Sequence, residues 1–313
     1  MPTPFPLIGL GMATLDILIR AESMSVWHSG MTLDGLSIES GGMACNAMFA
    51  AAKLGIQTGF IGSIGNDRLG MLKHALLQES GLDISRCIIH SAPDDQVVMV
   101  HIDSKTGERN FYPLAAPHRR QIDPLELDRS YILQADYLHI DGFHPLASLQ
   151  AARWMGEAGK QVMLDVNAHH GPPSAEIITL IQHVHFLVCS SGFLQVLAQT
   201  DDAAKAAKTV LEMGPHTIVQ TEGERGSITF TRNFSFKTPA YPVRTVDTTG
   251  AGDVFHGAYL VGLLQGWDLQ KISWFASIAA ALKCQKLGRE GYPTYQEVWN
   301  HWQAHPNPED FVR

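Results

Sequence analysis

The sequence predicts an α/β fold in three layers, a mostly parallel sheet with helices on both faces, carrying a small β-sheet lid. Three observations carry this. Short apolar runs alternate with longer amphipathic segments along most of the 313 residues, the rhythm of strands joined by crossover helices. Two stretches break that rhythm with strict alternation or a hairpin signal. After Gly250 the pattern turns helical. No repeat, low-complexity tract or Pro/Gly linker divides the chain, so residues 1–313 read as one domain, with lid strands inserted at about 30–40 and 96–114.

Taken in order, PLIGLG (Pro6 to Gly11) is the first predicted strand and GFIGSIG (Gly59 to Gly65) the next. YLHIDG (Tyr137 to Gly142), VMLDVN (Val162 to Asn167), FLVCS (Phe186 to Ser190) and TIVQT (Thr217 to Thr221) follow. Each ends in small or polar residues. Ligands bind outside the carboxyl ends of strands in open α/β sheets, which puts Asp141, Asp165, Asn167, Ser190 and Thr221 on the candidate rim. Thr32 to Ser40 alternates, and Gln96 to Pro113 reads as two strands joined at Lys105-Thr106-Gly107. These form the lid. Helices are expected over Ala251 to Gln265, Leu269 to Lys286 and Tyr295 to Gln303.

Composition narrows the function. Hydrophobic residues make up 45% and charged residues 17%, which is globular rather than disordered. A formal charge of −8, from 23 basic and 31 acidic residues, argues against nucleic acid or an anionic membrane as the partner and favours a small molecule. The four cysteines show no CxxC pair and read as buried thiols. With no signal peptide and no run of eighteen apolar residues, a cytoplasmic location is expected. None of the fifteen histidines shows a metal-ligand spacing. GxxxxGK[ST], HExxH and GxSxG are absent from the sequence, leaving P-loop, zincin and serine-hydrolase chemistry unsupported.

The most informative stretch is DTTGAGDVFHGAY, Asp247 to Tyr259. A helix start exposes unpartnered N–H groups and partial positive charge, so it attracts anions. Gly250, Ala251 and Gly252 leave room for a phosphate to approach the backbone. Asp253 in the same turn would repel that phosphate unless it takes a proton from the attacking hydroxyl. By itself the acid could equally be a favourable first-turn aspartate.

DTTGAGDVFHGAYL and GGMACNAMFAAAKLG (Gly41 to Gly55) together resemble the two signatures of the ribokinase-like (PfkB) carbohydrate kinases. Supporting matches run along nearly the whole chain: Gly9 to Asp16 as an opening strand with its acid, IGNDRLG, GERNF, TEGERGS and AALKCQKLGREGYPT. The resemblance implies an ATP- and Mg²⁺-dependent sugar kinase with the ribokinase-like fold. Asp253 would be its catalytic base, and Gly250, Ala251 and Gly252 its anion hole. Asp16, Gly41, Gly42 and Asn46 would bind substrate hydroxyls, with Arg109, His139 and Asp141 as further substrate candidates. Thr221, Gly223, Gly226, Ser190 and Cys284 are nucleotide candidates. Asp247 and Thr249 match positions whose oxygens ligate a monovalent cation in many relatives, while potassium use here stays open. A homodimer paired through the lid is expected.

Two departures qualify the match. The Asn-x-x-Glu that organises magnesium in many relatives is replaced by VCSSGFLQ, with Ser190 and Phe193 at the two positions and Asp165 as an outer acceptor nearby. The C-terminal half looks closest to sulfofructose-kinase-like and ketohexokinase-like members, but Met31 stands where a sulfosugar kinase would carry a lysine. Arg109, His118, Arg119 and Arg120 could meet an acidic sugar, although solvated surface charge explains them as well. Competing functions are a nucleoside kinase of the same fold, a non-catalytic sugar or nucleotide sensor, and a nicotinamide-dependent dehydrogenase. For the last, GLGMAT offers only a partial fingerprint, with Thr14 where a third glycine or alanine is needed.

Overall fold

A computed structural model describes residues 5–23, 28, 30–115, 120–167, 171–306 and 308. His118 and Arg119, raised above as candidates for an acidic sugar, lie outside them. The described residues form strands β1 (Leu7–Leu10), β2 (Thr14–Ala21), β3 (Gly35–Gly41), β4 (Thr58–Ile61), β5 (Ser63–Ile64), β6 (Ile88–Ile89) and β7 (Val97–Asp103). Then come β8 (Arg109–Pro113), β9 (Tyr137–Ile140), β10 (Gln161–Val166), β11 (Phe186–Ser190), β12 (Thr217–Thr221), β13 (Ser227–Thr231) and β14 (Ser235–Thr238). The helices are α1 (Met43–Lys53), α2 (Arg68–Glu79), α3 (Arg129–Ile132), α4 (Pro145–Glu157), α5 (Ala175–Ile181), α6 (Phe193–Ala198), α7 (Ala203–Met213), α8 (Ala251–Leu264), α9 (Leu269–Lys283) and α10 (Tyr295–Ala304).

The main sheet runs β14-β13-β12-β11-β10-β9-β1-β4 and is parallel from β4 to β12, closing with an antiparallel edge hairpin. Alternate residues of each strand feed opposite layers, because successive side chains point to opposite faces. Leu7, Met163, Val188 and Val219 pack with α1, α8 and α9. Ile8, Leu138, Leu164 and Ile218 pack with α4 and α7 on the other side. Each fully buried Leu, Ile or Phe in these layers contributes roughly 1.5–3 kcal/mol. The second sheet, β3-β2-β7-β8, stands apart from the first. The chain enters it directly after β1 and returns through α1 to β4, then crosses to β9 on the other side of β1. Strand order therefore reverses about β1, and a crevice opens at the carboxyl ends there.

Several sequence expectations need correction. GFIGSIG is two strands, because the chain breaks at Gly62: β4 stays in the main sheet, whereas β5 pairs with β6 in a separate ribbon. The run from Gly9 to Asp16 is likewise divided, so Asp16 lies on β2 of the small sheet rather than on the opening strand. The helix expected to reach Lys286 ends at Lys283 and gives way to a 3₁₀ turn, Gly288–Gly291. Strands β2, β6, β13 and β14 are not among those expected: Thr14 to Asp16 of β2 and Ser227 of β13 fall inside motif segments, β6 has two residues, and β14 (SFKT) alternates too weakly to stand out.

Candidate active site

The first turn of α8 forms one wall of the crevice. Gly250 is its N-cap at φ 75°, a left-handed conformation that glycine adopts without strain. Asp67, Ser174, Asp202, Asp268 and Thr294 cap their helices with side-chain oxygens, but α8 has no such cap. The Ala251 amide turns back to the Thr248 carbonyl at 3.2 Å, while those of Gly252 and Asp253 have no partner among the described residues. A methyl group added at Gly252 would meet nothing within 4 Å. The result is a bare, open helix start of the kind that accepts phosphate.

Asp253 sits in this turn, and its Oδ2 accepts a hydrogen bond from Asn46 Nδ2 at 2.8 Å. Asn46 is on α1, so the two signature segments meet side chain to side chain. Burial pushes the Asp253 carboxyl from an ordinary 3.8 up to about 7, against the pull of Asn46 and Arg109. Burial likewise raises Asp16 to about 6, opposed by the Thr14 hydroxyl and by Arg289. Asp16, Glu39, Asn46, Thr249, Gly250 and Tyr292 line a small open cleft. Gly41 and Gly42 are needed for close packing beside it: a side chain at Gly41 would strike the Asp16 carboxylate, and one at Gly42 (φ 102°) the Met12 carbonyl.

The small sheet reaches over the α8 turn. The Gly107 carbonyl, at the tip of the β7–β8 hairpin, accepts from the Thr248 amide at 3.2 Å and from its hydroxyl at 3.0 Å. Arg109 Nη1 donates to Thr248 Oγ1 at 2.8 Å. Arg109 thus stands beside the helix start while remaining solvent-exposed. Arg120 lies elsewhere, paired with Glu126 at 2.5 Å.

His139 and Asp141 do not face this cleft. His139 is fully buried in the sheet, its Nε2 3.2 Å from His256 Nδ1, and burial lowers it to about 3. His256 in turn lies 3.5 Å from Asp165 Oδ1, and burial disfavours its charge too. These three side chains converge through folding, from separate strands and a helix, which is why no spacing revealed them. Their donor atoms are turned on one another. Asp141 accepts the backbone amides of Met12 (2.9 Å), Phe143 (3.0 Å) and Ala44 (3.2 Å). It pins the β1–β2 connection to the start of α1, a scaffolding task for a residue expected to touch substrate. Asp165 is buried beside His256, and burial and then Asp253 raise its carboxyl well above the usual range.

At the carboxyl ends of β11 and β12, Thr221 Oγ1 donates to the Cys189 carbonyl at 3.3 Å, and Gly223 (φ 60°) and Gly226 (φ 86°) shape the turn that follows. Ser190 ends the neighbouring strand. Phe193, aligned with the missing glutamate, is buried in the core. The carboxylate present here is Glu222, held by Arg225 at 2.6 Å and by Gln220 at 2.5 Å. Cys284 is buried at the end of α9, where its carbonyl receives the amides of Val246 (2.8 Å) and Asp247 (3.2 Å). Its contribution is to hold the α8 turn from below.

Of the two residues assigned to a monovalent cation, the Asp247 carboxylate has other partners, whereas the buried Thr249 hydroxyl has none among the described residues. Asp247 is fully buried: Oδ2 takes Lys283 Nζ at 2.7 Å and the Gly288 amide at 2.9 Å, and Oδ1 takes the Thr249 amide at 2.7 Å. Lys283 Nζ also reaches the Asp247 carbonyl at 3.0 Å. Burial would raise the Asp247 carboxyl, yet Lys283 and Thr249 hold it below its usual range.

Two residues at the cleft were missed. Arg289 lies 4.2 Å above the Phe49 ring, and its Nη2 donates to Asn46 Oδ1 at 3.3 Å. Glu39 accepts the Arg289 amide on both oxygens at 3.0 Å, tying β3 to the 3₁₀ turn. GREG falls inside a segment that resembles the family and SIES carries no signal beyond its charge; only folding brings Arg289 and Glu39 together.

Residues 11–294 match the pfkB family carbohydrate kinases, and the chain belongs to that family. It is accordingly an ATP-dependent kinase with a sugar or nucleoside acceptor. It is 28% identical to a ribokinase of Haemophilus influenzae, covering 92% of this chain and 95% of that one. It is 31% identical to an aminoimidazole riboside kinase of Salmonella typhimurium, covering 81% and 83% respectively. Ribokinase of Arabidopsis thaliana, solved with ribose and ATP, shares the fold with a TM-score of 0.78 at 22% identity, over 94% of this chain and 97% of that one.

Proposed function

We propose that the chain transfers the γ-phosphoryl group of ATP to a primary hydroxyl of a neutral sugar or of a nucleoside's sugar, with Asp253 as general base. The observation that carries this is Asp253 itself, a buried carboxyl titrating near 7 and oriented by Asn46 at 2.8 Å, in the same turn as unpartnered helix amides. A base with a pKa near the working pH combines availability with proton affinity. The Gly252 and Asp253 amides face the transferring phosphoryl, Arg109 adds positive charge beside it, and Asp16 and Asn46 orient the acceptor hydroxyls. Magnesium, when bound, neutralises charge on the nucleotide phosphates. Glu222 fits as an acceptor for its waters, since octahedral Mg²⁺ keeps several of them.

Three acids, Asp16, Glu39 and Asp253, stand at or beside the cleft against two cations, Arg109 and Arg289, and Met31 adds no further positive charge. That balance favours an uncharged polyol over a sulfonated sugar. Coupled ADP release with ATP, Mg²⁺ and a panel of ketoses, pentoses, nucleosides and sugar acids tests the reading. Turnover with a neutral member is expected. Absence of both turnover and ATP binding contradicts it. A homodimer through the small sheet is also proposed, because Leu36 (60% exposed), Ile38 (44%) and Phe111 (55%) present apolar side chains on its edge strands.

A further inference from the structure

We propose that in this chain the Lys283 ammonium, rather than a dissolved monovalent cation, steadies the turn from Asp247 to Gly250, so that nucleotide binding and turnover need no potassium. The inference rests on the anion-binding role proposed for that turn. Lys283 is the last residue of α9 and is fully buried, a place an ammonium occupies only when it is paired. Its Nζ bonds both the carboxylate and the backbone carbonyl of Asp247, at 2.7 and 3.0 Å. The same carboxylate takes the amides of Gly288 and Thr249 at 2.9 and 2.7 Å. Asp247 thus joins the end of α9, the 3₁₀ turn and the approach to α8 in one buried knot.

The charge balance of this knot is complete. One ammonium meets one carboxylate, and each carboxylate oxygen already accepts at least one N–H. A potassium ion at the same carbonyl would stand a few ångströms from the ammonium, in a water-poor interior where like charges repel strongly. Lysine brings the same single charge on a compact head with three donors, tethered so that no ion has to be captured from solution. Lys283 acts here as a positioning residue. It touches neither reacting atom but fixes the carbonyl and amides that shape the turn.

The test exchanges KCl for tetramethylammonium chloride at constant ionic strength and follows binding of a non-hydrolysable ATP analogue to the full chain. The wild type should bind with less than a twofold change. Lys283→Ala should bind about tenfold or more weakly in tetramethylammonium and recover in potassium, a gain of cation dependence that a merely structural role would not produce. Activation of the wild type by potassium of fivefold or more, or a folded Lys283→Ala that binds as the wild type does in both salts, overturns the proposal. Thallium soaked into wild-type crystals gives a second readout that needs no nucleotide and no variant. No anomalous peak is expected beside the Asp247 carbonyl, and a peak there overturns the proposal. Failure of the kinase reading shows separately, as no analogue binding in either salt.

Discussion

At the scale of single residues, the site is governed by what burial does to acids. Asp253 and Asp16 are raised to about 7 and about 6, so a rate that needs the carboxylate of Asp253 should fall as pH drops below about 7. The logarithm of kcat/KM against pH should show that limb with a slope near one. Asn46 lowers the Asp253 value, so Asn46→Ala should move the limb upward. A limb that stays in place would remove Asn46 from its orienting role. Stability follows the same shift with the opposite benefit. A carboxyl whose folded pKa lies above its unfolded value favours the fold at low pH and loses that advantage as pH climbs from about 4 to about 7. Asp253→Asn should therefore raise the melting temperature at pH 8 and leave it nearly unchanged at pH 4; equal shifts at both would contradict the burial argument. Of these residues, Asp253, Asn46, Gly41 and Gly42 were legible because both signatures are contiguous. Arg289 and Glu39 were not, since their meeting spans 250 positions.

At the scale of elements, two helix starts converge. Helices α1 and α8 both begin at glycines, without the side-chain caps seen on α2, α7 and α9. They lie close because Gly257 of α8 faces the Ala47 carbonyl of α1, where a side chain would have no room. Gly257→Val should cost about 1–3 kcal/mol by overpacking. It should also depress turnover by parting Asn46 from Asp253. Denaturant unfolding beside a kinetic assay checks both, and an unchanged midpoint would show that the helices do not need this approach. The hairpin from the small sheet closes over the same turn, with Arg109 on Thr248. Arg109→Ala should lower kcat by about a hundredfold if the guanidinium faces the transferring charge. A change confined to KM would place it on ground-state binding instead.

Element types were largely readable, and breaks in direction were not. The main-sheet strands β9 to β12 announce themselves as apolar runs ending in polar residues, the mark of a parallel sheet covered on both faces. GFIGSIG also looks continuous, yet β4 and β5 join different sheets. A bend at Gly62 leaves the apolar pattern intact, and nothing local records which sheet a short strand joins. Asp16 was misplaced for the same reason, one strand too early.

At the scale of the whole molecule, strand order reverses about β1, and the chain inserts its second sheet at that point, so Asp16 and Glu39, the α8 turn and the hairpin tip come close together. The exposed apolar edges of the second sheet carry the expectation of a dimer. Sedimentation velocity should give twice the 34.3 kDa chain mass, and Leu36→Lys with Phe111→Lys should return it to one chain. A wild type that sediments as a monomer at micromolar concentration would end that proposal. The account depends most on one acid. With any acceptor that the screen identifies, Asp253→Asn should keep ATP affinity within a few-fold of the wild type while kcat falls by about 10²–10⁴. Retained turnover in that variant, with ATP binding intact, would contradict the assignment of Asp253 as the base.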